Sequence, residues 1–397
     1  MKKTALLIIC ILAFNTLKAQ NDRVITTGVP FLLIAADARA AGMGDMGVAT
    51  SPDAYSQQWN PAKYAFSLDK QGFSVSYTPY LSDLVNDISL GQATYFNRIS
   101  EKSSFAASLR FFGLGEIQLT NENGDLLNTV NPSEFAVDLS YALKLSERFS
   151  MSVAGRYIRS SLRIPGEGTD ASAATSFAVD VSGYYQSEEI AYDDFNGRWR
   201  GGFNFQNLGP KINYNNDDLD TNANFLPANL KLGGGFDFIF DEYNKVSLNA
   251  EVNKLLVPTP QTPTPVDLDG DGTISQGEIT AARDKTRNDY NSIGWTEGIF
   301  KSFGDAPDGM KEELKEFTWA LGAEYVYQDS FAIRAGYFNE SVEKGARKFM
   351  TLGAGFTYNI VKIDVSYLFS ASKVKNPLEN TLRFSLSFAF GDKYDEY

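Results

Sequence analysis

The chain predicts an all-β protein: a transmembrane outer-membrane β-barrel of about 14 antiparallel strands with an N-terminal plug. Three observations carry this. From residue 72 onward, apolar and polar residues alternate at period two, in segments of about the ten residues that a tilted membrane-spanning strand needs. Aromatic residues make up 13% of the 397 residues, with 29 Phe and 20 Tyr. Yet beyond the N-terminus no stretch approaches the roughly 20 apolar residues of a membrane helix. Finally, short and long connections alternate along the chain. Short periplasmic turns with longer outer loops give that rhythm, and a soluble β-sandwich has no reason to show it.

Taken in order, residues 1–19 combine Lys2 and Lys3 with an apolar core from Ala5 to Phe14 and a small residue, Ala19, before Gln20. This is the pattern of a cleavable signal peptide, too short to span a membrane. Cys10, in the middle of the apolar core, is misplaced for a lipoprotein. Cleavage removes Lys2, Lys3, Lys18 and Cys10, taking the formal net charge from −13 to −16 and leaving no cysteine.

Residues 20–71 do not alternate and include "ARAAGMGDMGVATSPDAYSQQWNPAKYA". Gly42, Gly44 and Gly47 permit close backbone packing, and Asn60-Pro61 marks a turn. A glycine-rich loop cradles phosphate only between a strand and a helix, a context missing here. The expectation is a compact plug in the barrel mouth, with both mature termini in the periplasm.

Strands are expected to start near 72, 88, 103, 134, 149, 175, 198, 229, 244, 316, 331, 346, 361 and 380. The clearest is "TLRFSLSFAFG", where Leu382, Phe384, Leu386, Phe388 and Phe390 share one face and Arg383, Ser385 and Ser387 the other. The barrel then spans 72–391, with a large extracellular loop at 257–315 and a C-terminal tail at 392–397.

The inner face would carry Arg110, Asp138, Arg156, Asp180, Glu251, Glu324, Arg334, Asp364 and Arg383. The plainer expectation is a solvated, mutually neutralising lining; the sharper one is an ion path. Histidine is absent and the mature chain lacks cysteine, which removes Ser-His-Asp, Cys-His and His-metal chemistry. No carboxylate pair has diagnostic spacing, so no catalytic residue is assigned. The acidic balance argues against nucleic acid, which needs clustered Lys and Arg.

The glycine-rich opening followed by "DAYSQQWNPAKYA" and about fourteen strands resembles the FadL-type outer-membrane barrels with their N-terminal hatch. Within that group, "ITTGVPFLLIAADARAAGMGDMGVATSPDAYSQQWNPAKYA" is similar to the PorV (LptO) family of the type IX secretion system. The resemblance implies a non-enzymatic role in the Gram-negative outer membrane. Secreted cargo proteins would be received through their C-terminal signal domains from a large translocon barrel. They would then be passed to a PorU-type attachment complex. The alternative is a FadL-like channel for hydrophobic small molecules, for which Gly113 and Gly115 in "FFGLGE" could open a lateral gap. In the large loop, "SIGWTEGIFKSF" sets Ile293, Trp295, Ile299, Phe300 and Phe303 either outward as an interaction patch or back onto a small core of the loop.

The same loop contains "DLDGDGTISQGE", residues 267–278. Asp267, Asp269 and Asp271 occupy positions 1, 3 and 5 of a twelve-residue calcium loop. Gly272 supplies the turn at 6, Thr273 a carbonyl at 7, Ser275 sits at 9, and Glu278 offers the bidentate carboxylate at 12. Pro258, Pro260, Pro263 and Pro265 forbid an entering helix, whereas "EITAARDKTRNDY" can form the exiting one. The expectation is half an EF-hand binding Ca2+ weakly, as a clip that orders an otherwise floppy loop.

Overall fold

The computed structural model describes residues 23–394 apart from 83–84, 86, 122, 163–172, 215–222 and 373–378. The signal peptide and residues 395–397 of the tail lie outside the described residues. Fourteen strands form the barrel: β1 Asp69–Pro79, β2 Ile88–Arg98, β3 Ser103–Leu114, β4 Ser133–Ser146, β5 Phe149–Ser161, β6 Ala174–Gln186 and β7 Asn196–Leu208. β8 Asn229–Ile239, β9 Asn244–Leu255, β10 Phe317–Tyr327, β11 Phe331–Asn339, β12 Lys348–Tyr358, β13 Val361–Ser370 and β14 Leu382–Lys393 complete it. Each pairs antiparallel with the next, and β1 pairs with β14 in register Phe73↔Phe388 and Val75↔Leu386, closing the ring. A closed ring leaves no unpaired edge, which lipid would not tolerate.

The side-chain pattern is that of a soluble protein turned inside out. Along β3, Ser104, Ala106, Ser108 and Arg110 are buried, while Phe105, Leu109 and Phe111 are 37–49% exposed on the outer wall. Period-two alternation permits this because one face meets lipid and the other the interior. The first strand begins at Asp69 rather than 72, and the last runs through "GDK" to Lys393, paired with Asp69. Those residues therefore belong to the wall and not to a tail.

Connections at one end are short (99–102, 147–148, 240–243, 328–330 and 359–360), and long ones occupy the other. The longer exception at 187–195 holds a two-residue strand, Ile190–Ala191, paired with Asn196 and Gly197. Among the long connections, 115–132 contains a small hairpin, Ile117–Thr120 with Leu126–Val130, which the sequence did not announce.

Residues 23–67 run inside the ring as short helical turns, Pro30–Leu33, Ala38–Ala41, Ser56–Trp59 and Pro61–Phe66. Glycine makes the close fit possible. A Cβ on Gly336 of β11 would lie 2.1 Å from the carbonyl carbon of Met43, and one on Gly44, at φ +85°, would lie 3.0 Å from the Tyr337 backbone. The direction of this segment corrects an expectation. Arg23 bonds to Thr262, Asp308 and Glu312 of the largest loop, and Gly28 N–H donates to the Phe225 carbonyl at 2.9 Å. The described chain thus starts at the long-loop end and crosses the lumen to Ser67, where Arg98 donates to the Ser67 carbonyl. Only its C-terminal end lies at the short-turn mouth.

Candidate functional site

Nine charged residues expected on the inner face are all buried there, but the lining is not solvated. Its charges are matched by one another and by the inner segment. Arg39, at the centre of that segment, reaches Glu324 of β10 at 2.8 Å and Asp53 at 2.6 Å. Glu324 is shared with Arg334 of β11, whose other arm holds Asp364 of β13 at 2.7 Å. Arg156 of β5 bridges Asp138 of β4 and Asp180 of β6, the latter at 3.0 Å. Arg383 of β14 meets Asp45 at 2.8 Å. Glu251 of β9 accepts two backbone N–H groups, from Gly47 at 2.8 Å and Val48 at 2.9 Å. Mixed signs at alternate positions were legible in the strands. Their partners Arg39 and Asp45 were not, because the inner segment has no periodicity to say which side chains reach the wall.

Toward the long-loop end the interior turns apolar. Val29, Phe31, Leu32, Leu90, Phe112, Ile158, Ile212 and Leu226 pack into one buried cluster, with Phe31 stacked on Phe112 at 6.2 Å. The lateral gap that Gly113 and Gly115 could have opened is not formed. β3 stays in unbroken register with β2 from Ser104 to Leu114, and with β4 from Ser103 to Gly113.

The outer loop 257–315 is clamped, not floppy. Its "DGMKEELKEF" stretch turns Glu312, Glu313 and Glu316 inward and leaves Lys311 and Leu314 exposed. Lys254, at the end of β9, holds Glu313 at 2.9 Å and Glu316 at 2.7 Å. Lys344, from the loop after β11, holds Glu312 at 2.8 Å and Glu316 at 2.9 Å, and Arg23 closes on Glu312 at 2.6 Å. Hydrogen bonding from Arg23, foremost, pulls the Glu312 carboxyl down to about 2.

Within this frame the acidic motif forms a tight turn. Asp267 accepts N–H bonds from Gly270 at 2.6 Å and Gly272 at 2.8 Å. Asp267, Asp269 and Asp271 each bring a carboxylate oxygen within 4.8 Å of the others. The Glu278 carboxylate is engaged locally instead. The Thr273 hydroxyl donates to Asp271 at 2.7 Å, and Glu278 accepts the Leu268 and Ser275 N–H groups while Ser275 caps the helix. That helix, α1 (Gln276–Ser292), is the expected exiting one, and no helix precedes the motif at 258–266. Hydrogen bonds from Gly272 on Asp267, from Thr273 on Asp271 and from Leu268 on Glu278 hold these carboxyls below their ordinary range.

The aromatic stretch divides. Ile293, Trp295 and Ile299 are half-buried, and Gly298 sits so close to Phe225 and Pro258 that a Cβ would lie 2.8 Å from the Phe225 ring. Phe300 and Phe303 point out, 80% and 48% exposed, with Met310 and Leu314 also exposed on the same loop.

The fold and interior define an outer-membrane β-barrel whose lumen is occupied by its own N-terminal chain. The chain belongs to the PorV family, whose model, "Type IX secretion system protein PorV", matches residues 17–262. It is therefore an outer-membrane component of the type IX secretion system. Among solved structures it is similar to the toluene transporter TodX of Pseudomonas putida. Identity there is 12% and the TM-score 0.48, over 92% of this chain and 98% of that one. The toluene transporter TbuX of Ralstonia pickettii follows at 11% and 0.47, over 91% and 100%. A FadL homologue of Pseudomonas aeruginosa stands at 13% and 0.44, over 90% and 99%. No curated protein matches the chain.

Proposed function

We propose that this protein is a non-enzymatic shuttle that works through its outer surface. It receives secreted proteins by their C-terminal signal domains from a large translocon barrel and passes them to a PorU-type attachment complex. The observation that carries this reading is the clamped outer loop, which holds Phe300, Phe303, Met310 and Leu314 in water at the rim of a filled barrel. Exposed apolar clusters mark interaction sites, and a surface already ordered by ion pairs spends less entropy on binding. A channel for hydrophobic small molecules would instead require the Phe31, Leu32, Phe112 and Leu226 cluster to part and the paired wall to open.

Deletion of the gene tests the two. A shuttle leaves synthesis and inner-membrane export intact while cargo accumulates in the periplasm. Normal secretion with failure to take up a hydrophobic nutrient would establish the channel. A gentle-detergent pull-down adds the partner list.

The same loop supports a calcium site at Asp267, Asp269, Asp271, Thr273, Ser275 and Glu278. Three aspartates converge on one point, and Glu278 stands one helical cap away. A cation there would relieve their mutual repulsion and join the start of the motif to α1. Weak affinity of the extracellular kind, roughly 0.1 to 1 mM, is expected.

A further inference from the structure

The exposed apolar side chains of the outer loop come from two stretches, and both are seated on the first described residues of the inner segment. The first stretch is α2 (Trp295–Lys301) with the two residues after it, which carries Phe300 and Phe303 outward. Its Gly298 packs on Phe225, and the Tyr290 ring of α1 meets Phe225 edge-on at 5.7 Å. Phe225 is in turn fixed by the inner segment. Its carbonyl accepts the Gly28 N–H, and a Cβ on Gly28 would lie 2.5 Å from the Ile212 side chain, whose backbone pairs with Asn224. The second stretch is the turn 310–316, which points Met310 and Leu314 outward and Glu312 inward. Arg23 clasps it: Nε and Nη2 donate to the two Glu312 oxygens at 2.9 and 2.6 Å, and Nη2 also reaches Asp308 at 2.6 Å. Nη1 donates to the Thr262 hydroxyl at 3.0 Å, earlier in the same loop. With the Arg23 side chain only 11% exposed, the clasp lies largely out of water, where charge-assisted bonds are strong and directional. Arg23 and Gly28 thus hold two parts of the loop against one short piece of chain.

We infer that Arg23 and Gly28 are positioning residues for the docking surface, an inference that rests on the shuttle function proposed above. Neither belongs to the four exposed side chains, yet removing either seat lets part of the surface shift. By linkage, a partner that prefers the seated loop holds the clasp shut by the same factor that the clasp adds to its affinity. The test is quantitative immunoblotting of the translocon barrel and of cargo that co-purify with the tagged full-length protein in mild detergent. Phe300→Ser with Phe303→Ser identifies which of the two this surface holds. Arg23→Ala and Gly28→Val should each lower capture of that same protein about tenfold or more, the scale of one charge-assisted hydrogen bond, while heat-modifiable migration is retained. Arg23→Lys, which keeps a cation for Glu312, should lose less. A second readout follows the clasp itself. Trypsin must take the Arg23 side chain into its own pocket to cut before Val24, so it cuts only when the clasp is open. In intact cells the new N-terminus at Val24 should form about tenfold more slowly when the partner is present than when its gene is deleted. If the phenylalanine variant captures both proteins normally, the docking surface itself is refuted and the inference falls with it. If that variant loses a protein that Arg23→Ala and Gly28→Val still capture at the wild-type level, the docking surface stands and the inference is overturned. Cleavage at Arg23 that runs at one rate with and without the partner overturns it as well.

Discussion

The lumen and the outer loop both rest on buried ion pairs, but they use them for opposite ends. In the lumen, Arg39, Arg156 and Arg334 are matched to carboxylates on strands that the ring holds in place, and Arg383 of the wall is matched to Asp45 of the inner segment. In the loop, Arg23, Lys254 and Lys344 grip Glu312, Glu313 and Glu316, and apolar side chains are left outside. Charge matching inside a closed wall makes a seal. The same matching at the base of a loop makes a platform.

The largest expected effect lies in the lumen. Arg156→Ala would strand Asp138 and Asp180, both buried, and should destabilise the barrel by about 3–5 kcal/mol. A lowered urea midpoint for loss of heat-modifiable migration measures it. Arg287→Ala, removing an exposed pair with Asp284, should change that midpoint by less than about 1 kcal/mol. Equal effects would erase the distinction between seal and surface.

Next comes the platform. Phe300→Ser with Phe303→Ser should weaken capture of translocon or cargo about tenfold or more, since each aromatic contact at an interface centre is worth roughly 1–2 kcal/mol or more, while leaving the urea midpoint alone. Undiminished capture in a quantitative pull-down would move the docking surface elsewhere.

The clamp should respond to acid. The Glu312 carboxyl is depressed from 4.5 to about 2, so its contribution is complete above pH 4.5 and fades as pH falls toward 2. Proteolysis of the loop should therefore be flat from pH 8 to 5 and rise below 4.5. Arg23→Ala should raise cleavage at neutral pH and flatten the acid response; an unaltered profile would show that Arg23 does not set it.

The smallest effect is that of calcium. Trp295 fluorescence of the full-length protein should change with a midpoint of roughly 0.1 to 1 mM, and Asp267→Ala or Glu278→Ala should abolish the change. A flat signal up to about 10 mM, well past that range, would remove the metal from the account.

Much of the wall was readable because a strand in lipid has a period of exactly two residues per face, and nine expected inward charges followed from that alternation alone. Strand starts differed by two or three residues at β1, β7, β12 and β14, because turns carry weaker patterning than the lipid-facing run. The approach of Asp267, Asp269 and Asp271 to one another followed from their spacing, the lack of an entering helix from the prolines at 258–265, and α1 from "EITAARDKTRNDY". What could not be read was anything joining distant residues without periodicity. Arg39 meets Glu324 across 285 positions, and Arg23 meets Glu312 across 289, and neither separation leaves a local trace. Gly113 and Gly115 misled for a related reason: a glycine permits a break in a strand, but the partner strands decide whether one forms.

The path of residues 23–67 has a topological consequence. The segment enters the ring at one end, leaves at the other, and continues directly into β1, which is one side of the β1–β14 seam. With Arg23 tied to the outer loop and Ser67 to Arg98, it cannot slide out along the axis without breaking both ties. The last strand to be made therefore closes around a rod that the first residues have already laid down. Tyr55 marks the joint, because its hydroxyl donates to the Val75 carbonyl of β1 at 2.6 Å and lies 3.0 Å from the Leu386 carbonyl of β14, so the rod touches both lips of the seam that encloses it.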